Sequence, residues 1–405
     1  MKKIVLFLFL FFGVSSYSQD LNIITSNVNE IVKKETKKNW FELINIRGYA
    51  QMRYNKLLET NPDLGCEQCD RSWGGDNSFF IRRGRIIFSG NVHDRVYIYI
   101  QPDFASAAGT TNMIFQIRDA YFDLALDDNK EYRIRFGQSK VPYGFENMQS
   151  SQNRISLDRN DALNSAVSNE RDLGVMFYWA PKEKRKLFSD LISQGLKGSG
   201  DYGIIGFGVY NGQTANRSEA NNNQHVVARV TYPFEFKNGQ ILEPGIQGYK
   251  GKYIVTTKST GVSTDYNAEY DDERVAASIV LYPKPFGFQA EYNIGTGPEY
   301  NTVTNSIDQK NLSGGYCQAM YNIKIKNHVL FPFVKYQVYK GGKKHELDAR
   351  SYDVKDLEIG LEWQPFKNFE LVADYTISNR RYEDAIKNNN LQQGSLLRLQ
   401  AQFNF

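Results

Sequence analysis

From about residue 43 to residue 405 the chain repeats one pattern, an apolar side chain at every second position with polar ones between. Leu397, Leu399, Ala401, Phe403 and Phe405 alternate with Arg398, Gln400, Gln402 and Asn404. Phe369, Leu371, Ala373, Tyr375 and Ile377 have Glu370 and Asp374 among them, and Phe286, Phe288, Ala290, Tyr292 and Ile294 have Gln289, Glu291 and Asn293. An extended strand turns successive side chains to opposite faces, so each such segment sets one face against apolar matter and the other against water. A chain made of these segments is all-β.

Sixteen segments carry the pattern, near residues 43–54, 79–90, 94–104, 115–126, 131–138, 171–180, 202–210, 224–233, 243–253, 272–282, 286–295, 312–323, 328–339, 352–363, 368–378 and 395–405. Most are about 9 to 12 residues long, which suits a tilted strand crossing a hydrocarbon layer. Short links (91–94, 127–130, 283–285, 324–327, 364–367) alternate with long polar ones (211–223, 254–271, 296–311, 340–351, 379–394). Even strand number with short turns on one side and long loops on the other predicts a transmembrane antiparallel β-barrel with both termini on the short-turn side. A soluble sandwich would bury its apolar face in a core and need no aromatics at strand ends. Here Trp179, Tyr232, Tyr282, Trp363 and Phe405 stand at those ends, as in the interfacial girdles of a membrane barrel. Residues 181–201 form one short-side turn that is unusually long, with Lys182–Lys186 and a small apolar patch.

The first residues read as an export signal: Lys2 and Lys3, an apolar run from Ile4 to Val14 too short to span a bilayer as a helix, then Ser15, Ser16 and Ser18 before a cut near residue 18. The domain expectation is therefore a signal peptide at 1–18, a periplasmic extension at 19–42 and the barrel at 43–405, in the outer membrane of a Gram-negative bacterium. Partners are then the lipid bilayer and the outer-membrane assembly machinery, for which the terminal Phe405 resembles a recognition signal. With 49 Lys+Arg against 45 Asp+Glu, the net charge of +4 is too small to suggest nucleic acid. Cys66 and Cys69 form a lone Cys-x-x-Cys; a local disulfide leads, free thiols come second, and zinc would need two more ligands at suitable spacing, which are not nearby. His93, His225, His328 and His345 are scattered, with no Ser/His/acid arrangement. No catalytic residue, metal site or cofactor is expected.

Ile81-Arg82-Arg83-Gly84-Arg85-Ile86 followed by Ser89-Gly90 resembles the phosphate-selective porin O and P family, and so do Arg133-Ile134-Arg135-Phe136-Gly137-Gln138-Ser139-Lys140-Val141-Pro142-Tyr143-Gly144 and Arg171-Asp172-Leu173-Gly174. The resemblance is strongest over 80–175. It implies a sixteen-stranded, usually homotrimeric barrel that passes small anions such as phosphate or polyphosphate. It also implies that segment 139–170, the third long loop, folds into the lumen and narrows it.

Parity assigns the lumen. In strand one Ile44, Ile46, Ala50 and Met52 face lipid, leaving Arg47, Tyr49, Gln51 and Arg53 inward. The same reading turns Arg83, Arg85, Arg133 and Arg135 inward, with Asp103, Asp119 and Asp123 among them. Glu291, Glu358, Glu362, Glu370 and Asp374 give the opposite wall an acidic bias. Arginine suits an anion path because its planar fork donates two parallel hydrogen bonds and stays charged. The candidate anion path is thus Arg47, Arg53, Arg83, Arg85, Arg133, Arg135 and, within the family motif, Lys140. On the inward loop, Arg154 and Arg159 stand near the constriction with Glu146, Asp158 and Asp161 opposing them. Arg82 breaks the alternation and points at lipid unless a bulge turns it inward or it sits at the rim. The rival readings are a non-selective or sugar-type general porin, and a structural barrel without transport.

Overall fold

The computed structural model describes residues 39–57, 78–108 and 111–405; the expectations for the signal peptide, for all but the end of the 19–42 extension, and for Cys66 and Cys69 lie outside them. A 3-10 turn at Trp40–Leu43 leads into β1 (Asn45–Leu57), β2 (Ser78–His93), β3 (Val96–Ala108), β4 (Thr111–Ala125), β5 (Tyr132–Lys140) and β6 (Arg171–Trp179). Next come β7 (Ile205–Tyr210), β8 (His225–Thr231, continued by Phe234–Glu235), β9 (Ile241–Ile254), β10 (Glu269–Leu281) and β11 (Phe286–Asn301). The last five are β12 (Ser306–Tyr321, continued by Ile323–Ile325), β13 (His328–Gly342), β14 (Ser351–Phe366), β15 (Phe369–Glu383) and β16 (Leu391–Asn404). Both pieces of β8 pair with β9, and both pieces of β12 pair with β13, so each is one interrupted strand.

Every strand pairs antiparallel with its sequence neighbours, and β1 pairs with β16 through Tyr49 opposite Asn404, so the sheet closes on itself. Closure leaves no edge strand with unsatisfied amides in lipid. At the seam the Gly48 amide donates to the Phe405 carbonyl at 2.9 Å and the Phe405 amide returns a bond at 3.0 Å. A Cβ on Gly48 would lie 2.5 Å from the Phe405 ring and 2.4 Å from the Arg85 carbonyl, so the terminal aromatic is seated against the first strand because that position has no side chain.

The lipid-facing positions of the alternation are exposed around the barrel, among them Ile46, Phe122, Val175, Phe207, Ile294 and Leu399. Their inward neighbours are buried, as at Tyr49, Arg135, Arg229, Asn293 and Arg398. No helix among the described residues is long and apolar enough to cross a membrane; the crossing is made by strands.

The strands outrun the expectation on the long-loop side. Residues 296–311, expected as a loop, continue β11 and β12 with unbroken pairing up to Asn301 opposite Ser306, and 379–383 extends β15. Past Ile294 the alternation of apolar and polar residues stops, because strand that stands clear of the hydrocarbon has water on both faces. At Arg82 the register slips, with Gln51 opposite Arg83 but Met52 opposite Ile81, so of the alternatives for this residue a bulge is present. The topology gives a direct test. A protease site inserted at 302–305 should be cut on intact cells and one at 326–327 should be protected; the reverse pattern would invert the barrel.

Candidate functional site

Residues 141–170, between β5 and β6, turn into the barrel rather than outward. Their apolar side chains supply the reason: Tyr143, Ala162, Leu163 and Val167 pack with inward Tyr178, Tyr210 and Tyr249, and Ile155 and Leu157 pack with Phe331, Phe333 and Val372. Two short helices, α1 (Phe145–Met148) and α2 (Asp161–Asn164), shape the loop, and the Asn160 side chain caps the second by accepting from the Leu163 amide.

The acidic wall holds this loop in place. The amides of Phe145 and Glu146 donate to the two carboxylate oxygens of Glu291 at 2.6 and 2.9 Å. Lys335 reaches Glu146 at 2.6 Å, and Lys343 and Arg380 reach Asp161 at 2.5 and 3.3 Å. On the adjoining strands β16 and β1, Arg398 and Arg53 grip Asp158 at 2.5 and 3.2 Å. Glu146 is the hub, accepting also from Ser156 and from the Asn160 amide and side chain. Burial pushes its carboxyl up, but Lys335 and Arg154 together hold it below the ordinary carboxylate value. Glu358 and Asp374 are both bonded by Arg398, and Glu362 accepts from Lys197. Of the acidic arc, Glu291 and Glu362 hold segments inside the barrel, Glu358 and Asp374 pair with Arg398 of the wall, and Glu370 borders a cavity toward the short-turn mouth.

The basic arc divides into paired and unpaired charges. Register places Arg85 beside Asp103 and Arg135 opposite Asp123, and each pair closes at 2.7 Å. Arg133 meets Asp201 at 2.7 Å, and Arg159 meets Glu170 at 2.9 Å while donating to the Glu146 and Gln149 carbonyls. Lys140 donates to the carbonyls of Met148 and Gln149, which fixes the start of the loop. Arg83 donates to Gln51, and among the described residues Arg154 donates only to the Leu157 carbonyl, its buried Nε and Nη1 having no hydrogen-bond partner there. Arg47 lies over the Tyr99 ring at 5.9 Å. Among the described residues Arg47, Arg83, Lys140 and Arg154 make no ion pair.

Beneath the loop, a cavity of about 190 Å³ opens along the basic arc. Arg47, Arg135, Lys140 and Arg171 converge on it, against Asp119 and Asp201, with Tyr99, Tyr121 and Tyr202 filling the wall. Arg171 is paired with Asp119 at 2.9 Å; in the sequence it stands out only as part of a family motif, with no signal that places it in the path. A second cavity, of about 460 Å³, adjoins it toward the short-turn mouth and shares Arg47, Gln152, Asn153 and Ile192. Among the described residues no group of acidic, histidine and cysteine side chains has the geometry to hold a metal ion.

Residues 63–405 match the family model of phosphate-selective porin O and P. The chain belongs to this family. The porin also resembles solved outer-membrane channels in fold. The DcaP channel of Acinetobacter baumannii is 14% identical with a TM-score of 0.54, over 89% of this chain and 97% of that one. OmpF of Salmonella typhi, solved with daunomycin, is 13% identical with a TM-score of 0.53 over the same shares. An anion-selective porin from Comamonas acidovorans is 11% identical with a TM-score of 0.51, over 89% of this chain and 99% of that one. No curated protein matches the sequence. The porin is an outer-membrane diffusion pore of a Gram-negative bacterium, a channel by family and by fold.

Proposed function

We propose that this porin passes small anions, phosphate among them, along the basic arc and through the cavity under the inward loop. One observation carries the reading. The loop lies across the acidic wall, with Glu291, Glu358 and Asp374 bonded to cations or amides, while the open space borders Arg47, Arg135, Lys140 and Arg171. Two of those four, Arg47 and Lys140, have no ion-pair partner among the described residues, so the wall keeps net positive charge where a solute must pass. Several weak, overlapping cationic contacts let an anion move on without being trapped. The family's description and the anion-selective porin of similar fold support the same reading.

The working unit is a homotrimer, supported by the trimer form of Vibrio cholerae OmpT, which has a TM-score of 0.51 and 10% identity over 89% of this chain and 99% of that one. Residues 1–18 direct export, and 19–42 stand in the periplasm before the barrel.

Single-channel reversal potentials in a salt gradient test the function. Chloride should outrun potassium, and millimolar phosphate should reduce the chloride current. Equal permeability of the two ions without phosphate block would leave a general porin instead.

A further inference from the structure

The long turn between β6 and β7 enters the lumen from the periplasmic side. It starts with α3 (Lys182–Ser193), whose Leu187, Phe188 and Leu191 form a narrow apolar stripe at helical spacing. Phe188 and Leu191 are buried with Phe145 of the inward loop and with Val280, Tyr282 and Ile241 of the wall. At the end of the helix Gly195 takes a left-handed φ of 69°, the Leu196 amide bonds the Leu191 carbonyl, and Leu196 joins the same cluster. That cap turns the chain upward, and Lys197 crosses the lumen to Glu362 on β14, at 2.6 and 2.8 Å from its two oxygens. The Lys197 carbonyl accepts from Gln149, so the turn and the inward loop meet in mid-barrel. Arg185 to the Lys130 carbonyl at 2.6 Å and Lys184 to Glu235 at 3.0 Å moor the helix to the rim, and Arg185 to Asp201 at 2.8 Å ties the turn to itself.

We infer that residues 180–204 are a second gate of the pore, in which Ile192 with Arg47 sets the passage between the two lumen cavities and the Lys197–Glu362 pair holds the gate in place. Ile192, Arg47, Gln152 and Asn153 are the residues common to both cavities. A solute moving from the cavity under the loop to the periplasmic mouth passes between the Ile192 side chain, the Arg47 guanidinium and the two amides. Lys197 closes the acidic side of the mouth by occupying Glu362. The gate rests on the chain being a pore, but not on its preference for anions.

A thiol introduced at the gate tests this in planar bilayers. Ile192→Cys treated with a bulky methanethiosulfonate should lose more than half its single-channel current, while the treated wild type, whose Cys317 lies on the outer face, should not. Lys197→Met and Glu362→Gln should each give larger, noisier conductance from barrels that remain heat-modifiable. If the introduced thiol is labelled, as read by mass, and current is unchanged, or if it resists labelling in an open channel, the gate is wrong. Block of the labelled Ile192→Cys channel, in a pore that proves non-selective, would leave the gate standing and remove the anion reading.

Discussion

Glu146→Ala should raise single-channel conductance severalfold while leaving a folded barrel. The carboxylate collects Lys335, Ser156 and both nitrogens of Asn160, so one substitution releases four bonds that tie the inward loop to itself and to β13. Removing one member of a buried ion pair costs about 3–5 kcal/mol, chiefly because the other charge stays behind unpaired. That cost falls on the loop and not on the wall, because the strand ladder runs around the barrel independently of residues 141–170. Glu146→Gln combined with Lys335→Gln removes both charges together, and its conductance should return most of the way to the wild-type level. A folded, heat-modifiable Glu146→Ala barrel with unchanged conductance would show that the loop does not set the width of the pore.

The barrel was legible because its physics is local. Period two, strand length and the alternation of links depend on residues next to one another, and they place Arg53, Arg83, Arg85, Arg133 and Arg135 on the inner face, where the structure has them. Even the anomaly at Arg82 was readable as a bulge, a rim position or an outward charge, and the strand has a bulge there. Register between strands is not local. Asp123 and Arg135 are twelve residues apart on opposite sides of a turn, and only their pairing makes one cancel the other. Counting inward arginines therefore overstated the positive wall. The strand ends beyond Ile294 were hidden for a different reason, since a segment wet on both faces loses the alternation by which strands are recognised. The turn at 181–201 held a visible apolar stripe, Leu187, Phe188 and Leu191, but a stripe names no destination; its partners, Phe145 and Val280, lie tens of residues away in either direction.

The same distinction between paired and unpaired charge says which residues should carry the proposed anion preference. Arg47→Glu should lower the anion-to-cation permeability ratio by more than tenfold. Arg47 borders both lumen cavities and has no ion-pair partner among the described residues, so no carboxylate in contact with it cancels its charge. A unit charge at 4 Å is worth about 1 kcal/mol in bulk water and about 4 kcal/mol at an effective dielectric of 20. Reversal changes the wall by two charges, and a tenfold ratio needs only about 1.4 kcal/mol. Arg85 is the contrast. Its guanidinium lies 2.7 Å from Asp103, and from the cavity the pair acts as a dipole whose field falls off steeply. Replacing both partners, Arg85→Gln with Asp103→Asn, should leave the ratio within about twofold of wild type, because it removes no net charge. Reversal potentials of the two variants in the same salt gradient decide the matter. If the neutralised pair shifts the ratio as far as Arg47→Glu does, selectivity comes from arginine as such, and the whole basic arc, paired or not, is the path.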